Sequence, residues 1–221
     1  MTTSEFKEIF FDRPSPKNLY QEWKDSSIRS FADFWERWTA RRISEVTGAE
    51  IVPCEEVEKR PGDAASDIAR RYSGGAYVLR EPLGSQKAPD NLYVNGHHTL
   101  QIENKSSTGN TATMNSAIIN PSLLYFFFRR PKNQSKTHLS FFRVFYGGDF
   151  WEDRKEEYEK VQSRVEEVKE KAHKLLKEVY PNDDFYNSGF TSCYPRMKHR
   201  DPKMNDSRFE KLENMLAERV K

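Results

Sequence analysis

A β-hairpin signal lies at residues 89–105, which read PDNLYVNGHHTLQIENK. Two short runs of β-prone residues, 92–94 and 99–103, flank Asn95-Gly96, a dipeptide that favours a tight turn between antiparallel strands. In such a hairpin Asp90 starts the first strand and Glu103 ends the second. The stretch therefore predicts two carboxylates at one open edge of a β-sheet.

The residues that end this stretch combine acidic and basic chemistry. Residues two apart on a strand share a face, so Glu103 and Lys105 project together while Asn104 turns away. Phosphodiester hydrolysis needs a divalent cation that neutralises the phosphate and lowers the pKa of a bound water, and hard cations take oxygen ligands. A lysine beside the ion can orient the water or stabilise charge in the transition state. Asp90, Glu103 and Lys105 are the candidate catalytic residues.

The spacing Pro89-Asp90, twelve residues, Glu103, one residue, Lys105 resembles the motif of the PD-(D/E)xK nuclease superfamily, which includes most type II restriction endonucleases. The resemblance implies that Asp90, Glu103 and the backbone carbonyl of Asn104 bind Mg²⁺, with Mn²⁺ as a possible substitute, and that Lys105 is the catalytic lysine. It also implies a DNA-binding homodimer of a restriction-modification system, which cuts double-stranded DNA at a specific short sequence. Two alternatives stay open for these residues: Asp90 as a turn residue, and Glu103 with Lys105 as a solvated cross-strand pair.

The rest of the chain alternates between helical and β-prone segments. Helical patterns occupy about 31–46, 63–72, 151–180 and 207–220, and β-prone runs occupy 49–54, 76–79, 123–128 and 139–146. This order predicts an α/β fold with a mixed central β-sheet flanked by helices from the N-terminal part and from 151–180, a restriction-endonuclease-like core. We expect a single nuclease domain over 1–221, with its core at about 31–150 and a helical appendage at 151–221.

One helical segment carries an apolar seam at alternating spacings of three and four residues. The seam comprises Tyr158, Val161, Val165, Val168, Ala172, Leu175 and Val179. It suits packing on the chain's own core or last helix, and it equally suits the interface of a homodimer.

Candidate DNA contacts are polar or cationic and lie in three segments after the motif. They are Ser106, Ser107, Thr108, Asn110, Thr111 and Asn115, then Arg129, Arg130 and Lys132, and finally Arg196, Lys198 and Arg200. Each segment could instead be an ordinary solvated loop. Members of the superfamily often place a further glutamate from an N-terminal helix near the metal, and Glu36 is the first candidate and Glu45 the second, although both could be surface charges.

Composition excludes several classes of protein. The two cysteines, Cys54 and Cys193, are too few and too far apart for a disulfide framework or a zinc site, and no apolar run is long enough for a membrane span. A net charge of +2 does not by itself indicate a polyanionic partner. We expect a cytoplasmic protein. The functional alternatives are another nuclease of the superfamily, such as a resolvase, repair or phage nuclease, or a non-catalytic nucleic-acid-binding protein.

Overall fold

A computed structural model describes residues 1–84, 87–112, 119–179 and 203–220. The helices are α1 (Thr3–Phe10), α2 (Pro16–Asp25), α3 (Phe31–Thr47), α4 (Ala65–Arg71), α5 (Gly147–Trp151), α6 (Lys155–Val179) and α7 (Ser207–Arg219), with a 3-10 helix at Gln134–Leu139. The strands are β1 (Glu50–Val52), β2 (Ala76–Arg80), β3 (Asn91–Asn95), β4 (His98–Ser107), β5 (Leu124–Arg129) and β6 (Phe141–Tyr146). The predicted DNA contacts Asn115, Arg196, Lys198 and Arg200 lie outside the described residues.

The six strands form one mixed sheet in the order β1-β2-β3-β4-β5-β6. Strands β1 and β2 are parallel, as are β4 and β5, and the other neighbours are antiparallel. Strand β5 is fully apolar up to its last residue, as a central strand with both faces covered should be. The predicted α/β class and mixed central sheet are confirmed.

The hairpin between β3 and β4 differs by one residue from the sequence prediction. Its two-residue loop is Gly96–His97 rather than Asn95-Gly96, because Asn95 pairs with His98. Gly96 has a φ of 59°, and a left-handed glycine at the first loop position is typical of a type II′ turn. Asn91 of β3 pairs with Ile102 of β4. One residue further along this antiparallel register, Asp90 lies opposite Glu103. This register brings the two carboxylates together.

Helix α3 covers one face of the sheet. It begins after the N-cap Ser30, whose side chain accepts a hydrogen bond from the backbone N–H of Asp33, and it ends at Gly48 in the left-handed conformation. Its buried Trp35 packs on Phe126 of β5 and donates a hydrogen bond from Nε1 to the backbone oxygen of that residue at 3.1 Å. Aromatic packing of this kind holds α3 firmly on the central strands.

The hydrophobic core extends beyond the expected range of 31–150. Phe6, Ile9 and Phe10 of α1 and Leu19 of α2 are buried in the same cluster as α3 and β5. On the opposite face, α7 packs on β6, and the ring of its Phe209 lies tilted against that of Phe145, with the ring centroids 4.9 Å apart. Both ends of the chain therefore contribute to the central layers.

Helix α6 does not flank the sheet as predicted. Among the described residues it makes no extensive contact with any strand, whereas α7 does. Val168 and Leu175 of its apolar seam are 40% and 62% exposed. At these positions the seam does not pack on the chain's own core or on α7. The prediction failed because the heptad-like spacing identifies an apolar stripe but not the surface that covers it.

A helix that spans a bilayer needs about 20 consecutive, mostly apolar residues. Within the described part of the chain, no helix combines the length and apolar character of a membrane span.

Candidate active site

Asp90 is held against the strand that carries Glu103 and Lys105. Its Oδ2 accepts a hydrogen bond from the backbone N–H of Asn104 at 2.6 Å. That amide lies in the backbone between the two other predicted catalytic residues. Repulsion from Glu103 acts on Asp90, so the two carboxyl groups lie close enough to interact electrostatically.

Glu103 and Lys105 form a buried ion pair on the face of β4 opposite α3. Lys105 Nζ lies 2.5 Å from Glu103 Oε1, and the side chains are only 12% and 4% exposed. The second carboxylate oxygen, Glu103 Oε2, is buried and receives no hydrogen bond from any described residue. A buried anionic oxygen without a donor carries a desolvation cost that a bound cation would remove.

The electrostatics of this cluster favour an added positive charge. Burial, followed by repulsion from Glu103, raises the pKa of Asp90 from 3.8 to about 8. Burial opposes the charged form of Lys105, but attraction to Glu103 and Asp90 outweighs it and raises the pKa of the ammonium group. Asp90 therefore holds a proton at neutral pH unless another cation approaches.

Glu36 on α3 lies at the margin of the same cluster. Burial, then repulsion from Glu81 and Asp33, raises its pKa from 4.5 to about 7, and its charge also acts on Asp90 and Lys105. The other candidate, Glu45, is exposed and lies within 4 Å of Arg41 and Arg42. Of the two, only Glu36 is placed to influence the site.

A buried polar network behind β4 is absent from the sequence predictions. Asn104 Nδ2 donates to Thr39 Oγ1 at 2.6 Å, and Asn91 Nδ2 donates to Asn104 Oδ1 at 3.0 Å and to the Glu36 backbone oxygen at 3.2 Å. As predicted, the Asn104 side chain turns away from Glu103 and Lys105. Asn91 and Asn104 directly flank the two β-prone runs of the predicted hairpin, and they are the sequence signal that could have identified this network, since buried amides require partners. The network fixes the strand segment that carries the candidate site.

The residues present fit a hard cation in part. Two carboxylates, one with an unsatisfied buried oxygen, are the ligand type that Mg²⁺ prefers, and Mg²⁺ usually keeps several waters rather than an all-protein shell. No cluster of three or more His, Cys, Asp and Glu side chains suited to a metal occurs in the described ranges. A cation bound by Asp90 and Glu103 would therefore depend on backbone or water oxygens, and the Asn104 carbonyl is the backbone candidate.

The predicted DNA contacts are placed in three ways. Ser106 and Ser107 end β4, immediately beyond Lys105. Thr111 instead forms an isolated β-bridge with Lys203. A single pocket is lined by Thr108, Asn110, Arg129, Arg130 and Lys132. Segments that the sequence separates by about twenty residues thus meet at one end of the sheet.

Comparison of the chain with models of known protein families, with curated proteins and with solved structures finds no match. Any function of this site must therefore be argued from its chemistry.

Proposed function

We propose that this chain is a type II restriction endonuclease with a restriction-endonuclease-like core, which hydrolyses phosphodiester bonds of double-stranded DNA at a specific short sequence with Mg²⁺. One observation carries the proposal: Asp90 is hydrogen-bonded to the amide between Glu103 and Lys105, and the second oxygen of Glu103 is left without a donor. Buried like charges are costly, and proteins retain them mainly where a cation or a reaction uses them.

Each residue has a distinct part in this chemistry. Asp90 and Glu103 would hold Mg²⁺ together with the Asn104 carbonyl, and Mn²⁺ uses the same ligand oxygens. When bound, Mg²⁺ supplies positive charge for the phosphate and lowers the pKa of a coordinated water. Lys105 Nζ, which Glu103 holds in place, orients the attacking water and stabilises charge on the phosphate oxygens. Water adds to phosphorus, the bond to the 3′ oxygen breaks, and the products are a 5′-phosphate and a 3′-hydroxyl.

A homodimer would supply one such site to each strand of a two-fold symmetric target. The exposed Val168 and Leu175 of the α6 seam support an interface there, because apolar side chains in a repeating stripe are normally covered. Val165→Glu combined with Val168→Glu is expected to halve the mass measured by analytical ultracentrifugation. A mass that does not change would reject α6 as the interface without affecting the catalytic proposal.

The direct test of function is incubation with plasmid and phage DNA, with Mg²⁺ or with EDTA, followed by gel electrophoresis. Discrete fragments that require Mg²⁺ are expected, and Lys105→Ala should remove them while DNA binding persists. A smear would indicate a less specific nuclease of the same chemistry, such as a repair or phage nuclease. DNA binding without any cutting would support the alternative of a non-catalytic nucleic-acid-binding protein. The described residues contain no metal-suited cluster of three His, Cys, Asp or Glu side chains, and this observation also favours that alternative.

A further inference from the structure

A cationic pocket lies at the end of the sheet, where β4 and β5 finish. It has a volume of about 370 Å³, which is within the range of small-ligand sites. Its polar lining comes from two segments that follow these strands: Thr108 and Asn110 after β4, and Arg129, Arg130, Lys132 and Lys136 at and after the end of β5. We infer that this pocket binds one nucleotide unit, a phosphate together with its base, of the DNA strand that passes the proposed catalytic centre. The inference rests on the proposed function.

The charge of the pocket indicates an anion. None of its four cations forms a salt bridge with a carboxylate of any described residue. Elsewhere the same protein pairs arginines closely with acids, as in Arg13 with Glu213 at 3.0 Å. Like charges gathered around one concave surface repel each other, and a phosphate would relieve that repulsion while accepting hydrogen bonds from the guanidinium groups.

Asn110 indicates that the ligand is more than a phosphate. Its Oδ1 is buried and has no hydrogen-bond donor among the described residues. The loop around it is fixed, because its backbone oxygen accepts a hydrogen bond from the Met204 N–H at 2.6 Å. A buried acceptor needs a donor, and a fully ionised phosphodiester offers none. Within a DNA strand the deoxyribose has no free hydroxyl, but the amino groups of the bases are donors, so a phosphate together with its base satisfies both the cations and Asn110.

The position of the pocket favours a nucleotide within the DNA strand over a free one. Arg129 pairs in register with Ser107, two residues beyond Lys105, so Arg129 shares the face of Lys105. Two residues along a strand span roughly 7 Å. A DNA backbone that presents one phosphate to Lys105 therefore continues directly into the pocket.

The test compares two charge-matched double variants of the full chain. Lys132→Ala with Lys136→Ala removes two cations from the pocket, and Lys7→Ala with Lys160→Ala removes two exposed cations that do not line it. Binding of a fluorescein-labelled duplex is measured by anisotropy in Ca²⁺ at several salt concentrations. The pocket variant should bind about tenfold more weakly and lower the salt slope by about 1 per lysine. The control should match wild type.

A third variant separates the phosphate from the rest of the nucleotide. Asn110→Leu, checked for folding by its melting curve, should weaken duplex binding without changing the salt slope, because no charge is lost. Deoxynucleoside 5′-monophosphates should compete for the pocket only weakly, and inorganic phosphate more weakly still. Duplex affinity unchanged in all pocket variants would overturn the inference. Tight binding of a free monophosphate, with duplex binding unaffected, would also overturn it by assigning the pocket to a free nucleotide.

These outcomes are separable from the failure of the nuclease proposal. If wild type cuts plasmid DNA and the pocket variants bind and cut normally, only the pocket inference fails. If wild type never cuts but the pocket variants lose affinity and salt dependence, the pocket remains a nucleic-acid site and the catalytic proposal fails.

Discussion

Two buried acidic clusters in this protein differ in the charge of their neighbours. Glu213 of α7 lies 3.0 Å from Arg13 and 3.2 Å from Arg143, and all three side chains are largely buried. Asp90 has a second carboxylate, Glu103, beside it and shares the single ammonium group of Lys105. Burial raises the pKa of both Glu213 and Asp90, but the arginines oppose this effect at Glu213, whereas Glu103 adds to it at Asp90.

The difference separates a cluster whose charge the fold itself compensates from the cluster that we propose binds a cation. Glu213 joins α7 to the edge strand β6 and to the segment after α1, and its charge is compensated by residues of the fold itself. Asp90 and Glu103 instead provide two carboxyl groups for the one ammonium group of Lys105, and the charge of Glu36 adds to the repulsion on Asp90. Such an arrangement costs folding free energy and is expected where a ligand cation completes it.

The largest expected effect is on catalysis. Asp90→Asn keeps the shape of the side chain and an oxygen that can accept from the Asn104 N–H, but it removes the charge that would hold Mg²⁺. We expect cleavage to fall by about a thousandfold, since the loss corresponds to several kcal/mol of transition-state stabilisation. Plasmid cleavage at saturating Mg²⁺ measures this. Glu213→Gln is the matched control and should cut normally per folded molecule.

In stability the order of the two variants should be reversed: Glu213→Gln should lose more free energy of unfolding than Asp90→Asn. Glu213→Gln leaves Arg13 and Arg143 buried without their anion, so we expect a loss of about 3 kcal/mol in the free energy of unfolding. Asp90→Asn should not destabilise the metal-free protein at neutral pH, because the amide replaces a carboxyl group that is already largely protonated. Urea titration followed by tryptophan fluorescence checks both values. Destabilisation of Asp90→Asn as large as that of Glu213→Gln would show that Asp90 is a structural residue.

The stability of the metal-free protein should fall as pH rises. The folded pKa of Asp90, about 8, exceeds its ordinary value of 3.8, so the native state binds more protons than the unfolded state between these values. The penalty is absent below about pH 4 and fully developed above about pH 8. We expect it to be on the order of 2 kcal/mol, because relaxation of the structure and water penetration reduce the full cost of a buried charge.

Urea titrations from pH 5 to 8 in EDTA test this dependence. The slope should be shallower in Asp90→Asn than in wild type, and Mg²⁺ should restore stability at high pH. An identical pH dependence in wild type and Asp90→Asn would contradict the assigned shift.

The smallest effect is expected in the buried polar network between α3 and β4. Thr39→Val removes the acceptor of the 2.6 Å hydrogen bond from Asn104 Nδ2. An unsatisfied buried amide costs about 1 kcal/mol, and cleavage should fall only a few fold because Asn104 still pairs with Asn91. Urea titration and plasmid cleavage measure the two effects, with Thr39→Ser as the control that keeps the hydroxyl. A thousandfold loss of cleavage would mean that the network takes part in the chemistry.

Local signals predicted much of the fold. The Asn95-Gly96 dipeptide and the β-prone runs on either side of it predicted the hairpin. Ser30 and Gly48 are the N-cap and C-cap residues of helix α3. Helices α1 and α2 lie outside the predicted elements, although the Thr2 capping box and the Ser15 N-cap before Pro16 are sequence signals for them.

The remaining features depend on contacts between distant residues. The hydrogen bond between Asn104 and Thr39 spans 65 residues, and no local pattern specifies it. The spacing of apolar residues predicted the stripe on α6. It could not show that α7, rather than α6, packs on β6, because that depends on contacts between distant parts of the chain. The proximity of Asp90 and Glu103 was predictable because both belong to one hairpin. The raised pKa of Asp90 was not, since it depends on burial.

In the proposed site, Asp90 and Glu103 share one divalent cation beside Lys105. Electron paramagnetic resonance of free Mn²⁺ tests this sharing, because the signal of the free ion falls as the protein binds it. We predict one Mn²⁺ bound per wild-type chain, displaced by Mg²⁺, with at least tenfold weaker binding in Asp90→Asn and unchanged binding in Glu213→Gln. Equal Mn²⁺ affinity in wild type and Asp90→Asn would show that Asp90 does not bind the ion.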